Sequence, residues 1–334
     1  MRSQSRSGIS LLEIVVTLFI IALLAALLLP AILSTREASR RLQCRNRLRI
    51  LGQALQSHVT DYQFFPAAQS ATSSQPNRVS NRFHSPHVAL LPYIDQSTIY
   101  ARVDRQAPQL YFANPSTLDV AMTPVPTFVC PSDYGIAGTN YRVCMGPGPY
   151  GTKSPLTPEG GTGAFSALYA HRPDAFKDGL GHTIAMSEKL KTDIHTNGYV
   201  RRTDFWFSGS VNVFGYPPSL DETIQVCNAL TDQPTEFHRW SGLSWFFSTY
   251  AFTWYNHAVG PNDGTPDCSV QSQPSSEHTP PGGGVYKASS YHVGGVNCLF
   301  MDGTVRFISD SVDLDVWRAL STRAGSETLS DTSF

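Results

Sequence analysis

Apolar and polar positions divide the first sixty residues into two patterns. From Ile14 to Leu29, sixteen residues run with the Thr17 hydroxyl as their only polar group. With its flanks this run approaches the ~20 apolar residues a helix needs to cross a bilayer's hydrocarbon. It predicts a membrane-spanning helix over 9–33. Beyond Pro30 the pattern becomes one-sided. Cys44, Leu48, Leu51, Leu55 and Tyr62 recur at spacings of four, three, four and seven, while Arg36, Arg40, Arg41, Arg45, Arg47 and Arg49 crowd the other positions. That is one face of a helical period. It predicts an amphipathic continuation over 34–62, lying against a folded body with Cys44 facing the core.

The body, 63–334, reads differently. Gly and Pro together number 48, a balance that suits short strands and long turns better than helices. Pro86 to Tyr100 predicts one or two short helices broken at Pro92, because proline lacks the backbone donor a helix interior needs. Phe128–Asp133, Thr139–Met145, Ala164-Phe165, His182–Glu188 and Phe205–Val213 alternate or run apolar as strands do. The clearest strand pattern lies near the end, where Val296, Cys298 and Phe300 alternate with Asn297, Leu299 and Met301. Asp302-Gly303 follows, and Val305–Ile308 returns. Asp-Gly between such runs predicts a hairpin closed by a two-residue turn. A last helix is expected over 314–322, packing through Val316, Trp317 and Leu320.

Charge is unevenly spread. Up to residue 60 eight arginines face only Glu13 and Glu37; beyond it 17 Lys plus Arg face 24 Asp plus Glu, leaving the body at −7. An acidic body argues against nucleic acid as a partner, since phosphates need a basic footprint. Arg2 and Arg6 precede the apolar run as in a secretory signal, but Leu33-Ser34-Thr35-Arg36 offers no Ala-x-Ala cleavage point. Glu13 lies inside the apolar helix, where a charge costs roughly 2.5 to 3.5 kcal/mol and points to a function. Six arginines follow the span and two precede it, which by charge counting alone keeps the C-terminal side in the cytoplasm; long domains translocate largely regardless of charge. The arginines themselves are expected on a solvated or headgroup-facing surface.

Cys44, Cys130, Cys144, Cys227, Cys268 and Cys298 show no Cys-x-x-Cys spacing, which disfavours a zinc knuckle or redox motif. An even number in a body that leaves the cytosol suggests disulfides among fifteen pairings, with burial as free thiols the alternative.

Two resemblances follow from these residues. Gly8, an apolar helix and Glu13 at the fifth position after the glycine resemble the signal of type IV prepilins and type II secretion pseudopilins. The resemblance implies cleavage after Gly8 by a prepilin peptidase and methylation of the new amine of Ile9, although the first mature residue is usually Phe. It also implies that Glu13 neutralises the terminal amine of a neighbouring subunit during assembly, and that the helix kinks at Pro30. The second resemblance covers almost the whole chain. His292, nine residues and Asp302-Gly303 are similar to the motif of the bacterial family catalogued as domain of unknown function 1559. So are the helix beginning Arg40-Arg41-Leu42-Gln43-Cys44, Leu90–Tyr93, Cys130-Pro131-Ser132-Asp133, and Asp178-Gly179 before Thr183-Ile184 and Glu188. That family pairs a prepilin-type N-terminus with an exported body and has no established activity.

Candidate chemistry is thin beside these signals. His292 with Asp302-Gly303 offers an imidazole and a carboxylate, both standard ligands, though the Asp-Gly is explained by its turn. Asn262, Asp263 and Asp267 form an oxygen-rich loop that could suit calcium, without the spacing of a calcium-binding EF loop. No Gly-x-Ser-x-Gly or His-Glu-x-x-His is present, so no hydrolase is expected. Trp206, Trp240, Trp245, Trp254, Tyr250 and Tyr255 could stack on a glycan or protein, and core filling is the duller reading. The sequence therefore points to an α+β pilin-like fold: a leader 1–8, a transmembrane half-helix 9–33, an amphipathic half-helix 34–62 and an exported domain 63–334 built on an antiparallel sheet with long loops. The expected role is a structural subunit of a surface or secretion filament, single-pass in the inner membrane with its N-terminus cytoplasmic. It is not expected to be an enzyme and needs no cofactor. Its expected partners are the peptidase, the membrane and neighbouring subunits. The alternative is a monomeric tethered protein that binds a glycan or protein.

Overall fold

A computed structural model describes residues 11–69, 84–104, 115–133, 135, 137–148, 162–167, 169–207, 219–230, 237–269 and 284–327. The helices are α1 (Leu11–Tyr62), α2 (Pro86–Leu90), α3 (Ser97–Arg102), α4 (Pro115–Ala121), α5 (Leu220–Asn228) and α6 (Leu314–Ala319). The strands are β1 (Tyr141–Cys144), β2 (Ile184–Glu188), β3 (Phe205–Phe207), β4 (Phe237–His238), β5 (Trp254–Tyr255), β6 (Asp267–Ser269), β7 (Gly284–Val285), β8 (Gly295–Phe300) and β9 (Val305–Ser309).

α1 runs unbroken through position 30 and joins the apolar span to the amphipathic half. Short helices start where side chains replace missing backbone acceptors. Ser85 accepts from the His87 N–H ahead of Pro86, Ser219 and Glu222 satisfy each other's backbone N–H groups, and Asp313 accepts from Asp315 and Val316.

Two sheets form the body. Five strands are ordered β5-β1-β2-β8-β9, and four are ordered β4-β3-β6-β7. The expected antiparallel sheet is in fact mixed, because β1 pairs β5 in parallel, as β3 does β6. The chain between β1 and β5 is long enough for the crossover that parallel pairing requires. The core is built around the larger sheet. Cys44, Leu48, Leu51 and Leu55 of α1 are buried against one face, where the Tyr141 hydroxyl donates to the Cys44 carbonyl at 3.1 Å. On the other face Trp317 of α6 lies flat on His257, with ring centroids 3.5 Å apart. Both faces being covered, the alternation along β8 separates two interiors rather than core from solvent, and all six of its residues are buried. A smaller core of Cys227, Ala258, Val259, Cys268 and Val285 joins α5 to the second sheet.

Further expectations are corrected. Ala164-Phe165 is no strand but a bend, held where the Phe165 N–H donates to the Cys144 carbonyl at 3.1 Å. Tyr62, placed on the buried face, is 60% exposed; the helix has by then passed the edge of the body, and the ring packs on His58 instead. Phe128–Asp133 is no strand but a 3-10 turn over Pro126–Phe128 followed by loop. The Cys130 N–H there donates to the Asn140 side chain at 2.9 Å in place of a strand partner, and Pro131 has no N–H to offer a ladder. The hairpin after β8 has a three-residue loop. The Gly303 N–H donates to the Phe300 carbonyl at 2.9 Å and the Phe300 N–H to the Thr304 carbonyl at 2.8 Å, with φ +88° at Gly303 alone. Asp302 keeps a negative φ because its carboxylate accepts from both the N–H and the hydroxyl of Thr304, which favours a turn followed by a left-handed glycine.

Candidate functional site

The densest cluster of reactive side chains lies where α1 meets the sheet. His292 precedes β8 and is held by its neighbours: its N–H donates to the Ser290 hydroxyl, which itself donates to the Gly295 carbonyl at 2.7 Å. A Cβ at Gly295 would lie 2.0 Å from the Ile308 carbonyl oxygen, so glycine is required for β9 to close on this corner. The His292 ring, itself buried, bridges two acids from distant parts of the chain. Nδ1 is 2.7 Å from Glu37 Oε1 on α1, and Nε2 is 3.3 Å from Glu188 Oε1 at the end of β2. Glu188 is fixed in turn by Asn297, whose backbone N–H and side-chain amide donate to it at 2.7 to 3.1 Å. Cys44 of α1 and Cys130 form a disulfide, and Cys130 Sγ lies 3.7 Å from His292 Nε2.

A carboxylate faces each ring nitrogen, an arrangement that favours the imidazolium, the form in which both nitrogens donate. Burial pushes the His292 pKa down, but hydrogen bonds and charge from Glu188 and Glu37 outweigh it, and the net shift is upward. Charge-assisted bonds of this kind are roughly twice as strong as neutral ones. With its sulfurs joined and its imidazole occupied on both sides, the cluster fastens α1 to the body. A recess beside it is lined by Cys130, Ser132, Asp133, Asn140, Glu188 and Ser290, and it is too narrow for a sizeable ligand. Cys44, Cys130, Glu188 and His292 bring one ligand atom each within 4.8 Å of one another, the one metal-type grouping among the described residues.

His292 and Asp302-Gly303 do not form one site. They stand at opposite ends of β8, and each end meets α1. At the far end Gln56 donates to the Met301 carbonyl at 2.6 Å, and a Cβ on Gly52 would fall 2.7 Å from Leu299 Cδ1 and 3.1 Å from the Gly303 carbonyl. Both ends of the motif thus hold the same helix.

The other predicted residues fall as follows. Glu13 lies on the exposed span, while Gly8 and Ile9 lie outside the described residues. Of the six cysteines, Cys44–Cys130 and Cys227–Cys268 are bonded. Cys144 and Cys298 are corrected to free buried thiols, pushed up by burial, Cys144 to about 12. They sit on β1 and β8 with β2 between them, which holds their backbones apart. The calcium grouping is not assembled. Asp267 is buried and neutralised by Lys189 and by Lys287 at 3.2 Å, Asp263 accepts from the Thr265 N–H, and Asn262 bonds Ser290 and Asp310. A carboxylate already shared by two ammonium groups has little left for a cation. Trp245, Trp254, Tyr250 and Tyr255 fill the core, whereas Trp240 stays 37% exposed and stacks on His238. Arg45 and Arg47 donate to the carbonyls of Val305 and Val129, and Arg41 covers the Phe307 ring at 3.4 Å, so part of the arginine surface belongs to the α1 interface.

Sequence reasoning missed Glu37, Glu188 as a partner of His292, and the Lys189–Asp267–Lys287 group. A usable signal existed for Glu37, which with Glu13 is one of only two acids in the first sixty residues. Buried lysines carry no comparable mark.

No curated protein and no solved structure matches the chain. A family profile matches residues 33–315, from the start of the amphipathic half-helix to α6. The chain belongs to the family described as protein of unknown function, DUF1559.

Proposed function

We propose that the protein is a pilin- or pseudopilin-like subunit, anchored in the inner membrane by α1 with its body on the outer side. The carrying observation is the character of α1. Leu11–Leu29 is apolar, long enough to span a bilayer and unburied by the rest of the chain, yet it continues without interruption into a half-helix fixed to the body. Exposed apolar surface of that extent needs lipid or other helices around it. In the membrane the span is an anchor; in a filament the same surface packs against sister helices, with Glu13 meeting the neighbour's terminal amine. The role is structural rather than enzymatic.

The test is to express the chain with its prepilin peptidase, sequence the mature N-terminus, and examine sheared surface material for filaments containing it. The reading requires a mature chain beginning at Ile9 and loss of assembly in Glu13→Ala with the body still folded. A mature protein beginning at Met1 or after residue 33, or filaments unaffected by Glu13→Ala, overturns it. Unimpaired ligand capture by a Glu13→Ala chain that never assembles supports a tethered binding protein instead.

A further inference from the structure

We propose that, with the Cys44–Cys130 bond reduced, Cys44, Cys130, Glu188 and His292 bind one zinc ion that ties α1 to the sheet. Zinc takes thiolate, imidazole and carboxylate at about 2.3, 2.05 and 2.1 Å in a tetrahedron, which sets sulfur–nitrogen and nitrogen–oxygen edges of about 3.6 and 3.4 Å. The edges present are 3.7 Å from Cys130 Sγ to His292 Nε2 and 3.3 Å from His292 Nε2 to Glu188 Oε1. The four ligand atoms already lie within 4.8 Å of one another, and opening the disulfide lets the sulfurs separate to about 3.8 Å.

The surroundings are those of a zinc histidine. His292 turns Nε2 toward the sulfurs and gives Nδ1 to the Glu37 carboxylate, the arrangement that fixes a ligating ring and raises its basicity. Glu188 is oriented by three hydrogen bonds from Asn297. The four ligands come from α1, the loop after the 3-10 turn, β2 and the entry to β8, so the ion joins the same pieces as the disulfide does.

Binding and oxidation balance as follows. On binding, the two thiols and the imidazolium each release a proton, and Zn2+ keeps its oxidation state. In exchange with an external disulfide, Cys44 and Cys130 lose two electrons and join. The external disulfide gains them and becomes two thiolates, Zn2+ departs, and His292 takes back a proton to sit between Glu37 and Glu188. The newly made chain therefore has a metal-held junction that the oxidised chain replaces by a covalent one.

The experiment uses the full chain in detergent micelles, oxidised or reduced with a phosphine, titrated with Co2+ and then Zn2+. Absorption and far-ultraviolet circular dichroism are recorded together. The reduced chain should bind one equivalent, showing tetrahedral cobalt bands and thiolate-to-cobalt charge transfer that Zn2+ abolishes; the oxidised chain should show neither. Cys144→Ser with Cys298→Ser, and Cys227→Ser with Cys268→Ser, should leave the spectrum in place. Cys130→Ser should remove a thiolate from it. Glu37→Gln, at a side chain 35% exposed, should weaken binding about 10- to 100-fold. A reduced chain that folds only when metal is added also supports the site. A folded reduced chain without charge transfer, one that stays unfolded with metal, or a spectrum unchanged in Cys130→Ser overturns it.

Discussion

Replacing Cys44 and Cys130 together by alanine tests how α1 is held to the body. The bond joins positions separated by 86 residues. In the chain-entropy account, closing such a loop removes about 15 cal/mol/K from the unfolded chain, or about 4.6 kcal/mol at 25 °C. The Cys227–Cys268 bond spans 41 residues and gives about 3.9 kcal/mol by the same relation. The two bonds differ more in what they hold than in magnitude, since only the first crosslinks α1 to the body. The assay is denaturant unfolding of the full chain in micelles, followed by tryptophan fluorescence, since all five tryptophans lie beyond residue 200. It is run with and without a phosphine reductant, always with a chelator to keep metal from substituting for the bond. Under oxidising conditions the double variant should lose about 6 kcal/mol relative to the parent, the crosslink and the buried sulfurs together. Under reduction the gap should shrink to the lost burial of two sulfurs, roughly 1 to 2 kcal/mol. Limited proteolysis should cut between α1 and the body sooner in this variant than in Cys227→Ala with Cys268→Ala. A gap of equal size in both conditions would refute the crosslink account and assign the loss to packing.

Three further outcomes follow from the buried groups. Asp267→Asn removes the counter-charge of the buried Lys189 and Lys287 and should cost about 3 to 5 kcal/mol in chemical unfolding, less at high pH, since burial already depresses Lys189 to about 7. Gly52→Ala drives a methyl into Leu299 and the Gly303 carbonyl, and overpacking of this kind should cost about 1 to 3 kcal/mol and loosen α1 first, read by hydrogen exchange. His292 has a folded pKa above its unfolded value, so its contribution is complete below about 6.5 and is lost as pH rises through the folded value. His87, His171 and His257 are depressed by burial to about 4, 3 and 3, so they remove stability as pH falls below about 6.5. The Tm difference between the parent and His292→Gln should therefore be largest below about pH 6.5 and shrink as pH rises above it.

Much was legible in the sequence wherever the cause is local. The span over Leu11–Leu29 is set by composition alone, and the buried face of α1 by the spacing of Cys44, Leu48, Leu51 and Leu55, since side chains three and four apart share a helix face whatever they pack against. The β8–β9 hairpin was equally readable from alternation and Asp-Gly. Its loop length was not, because the Asp302 carboxylate chose between two turns that both accept Asp-Gly. The mixed order of the sheet also lay out of reach, since a parallel pairing across more than a hundred residues leaves no local mark.

The candidate site shows the same division. His292, Cys44 and Cys130 stood out as residues, but a sequence carries no information on which imidazole nitrogen faces which acid. Glu37 and Glu188 are 151 positions apart in the chain, and only the docking of α1 against the sheet beside β8 brings both to one ring. Sequence alone determined that this protein carries an exposed apolar helix joined to an α+β body. Tertiary structure decided that the motif around β8 is the body's grip on that helix, because pairing distant charges and sulfurs depends on how the elements pack and not on their order.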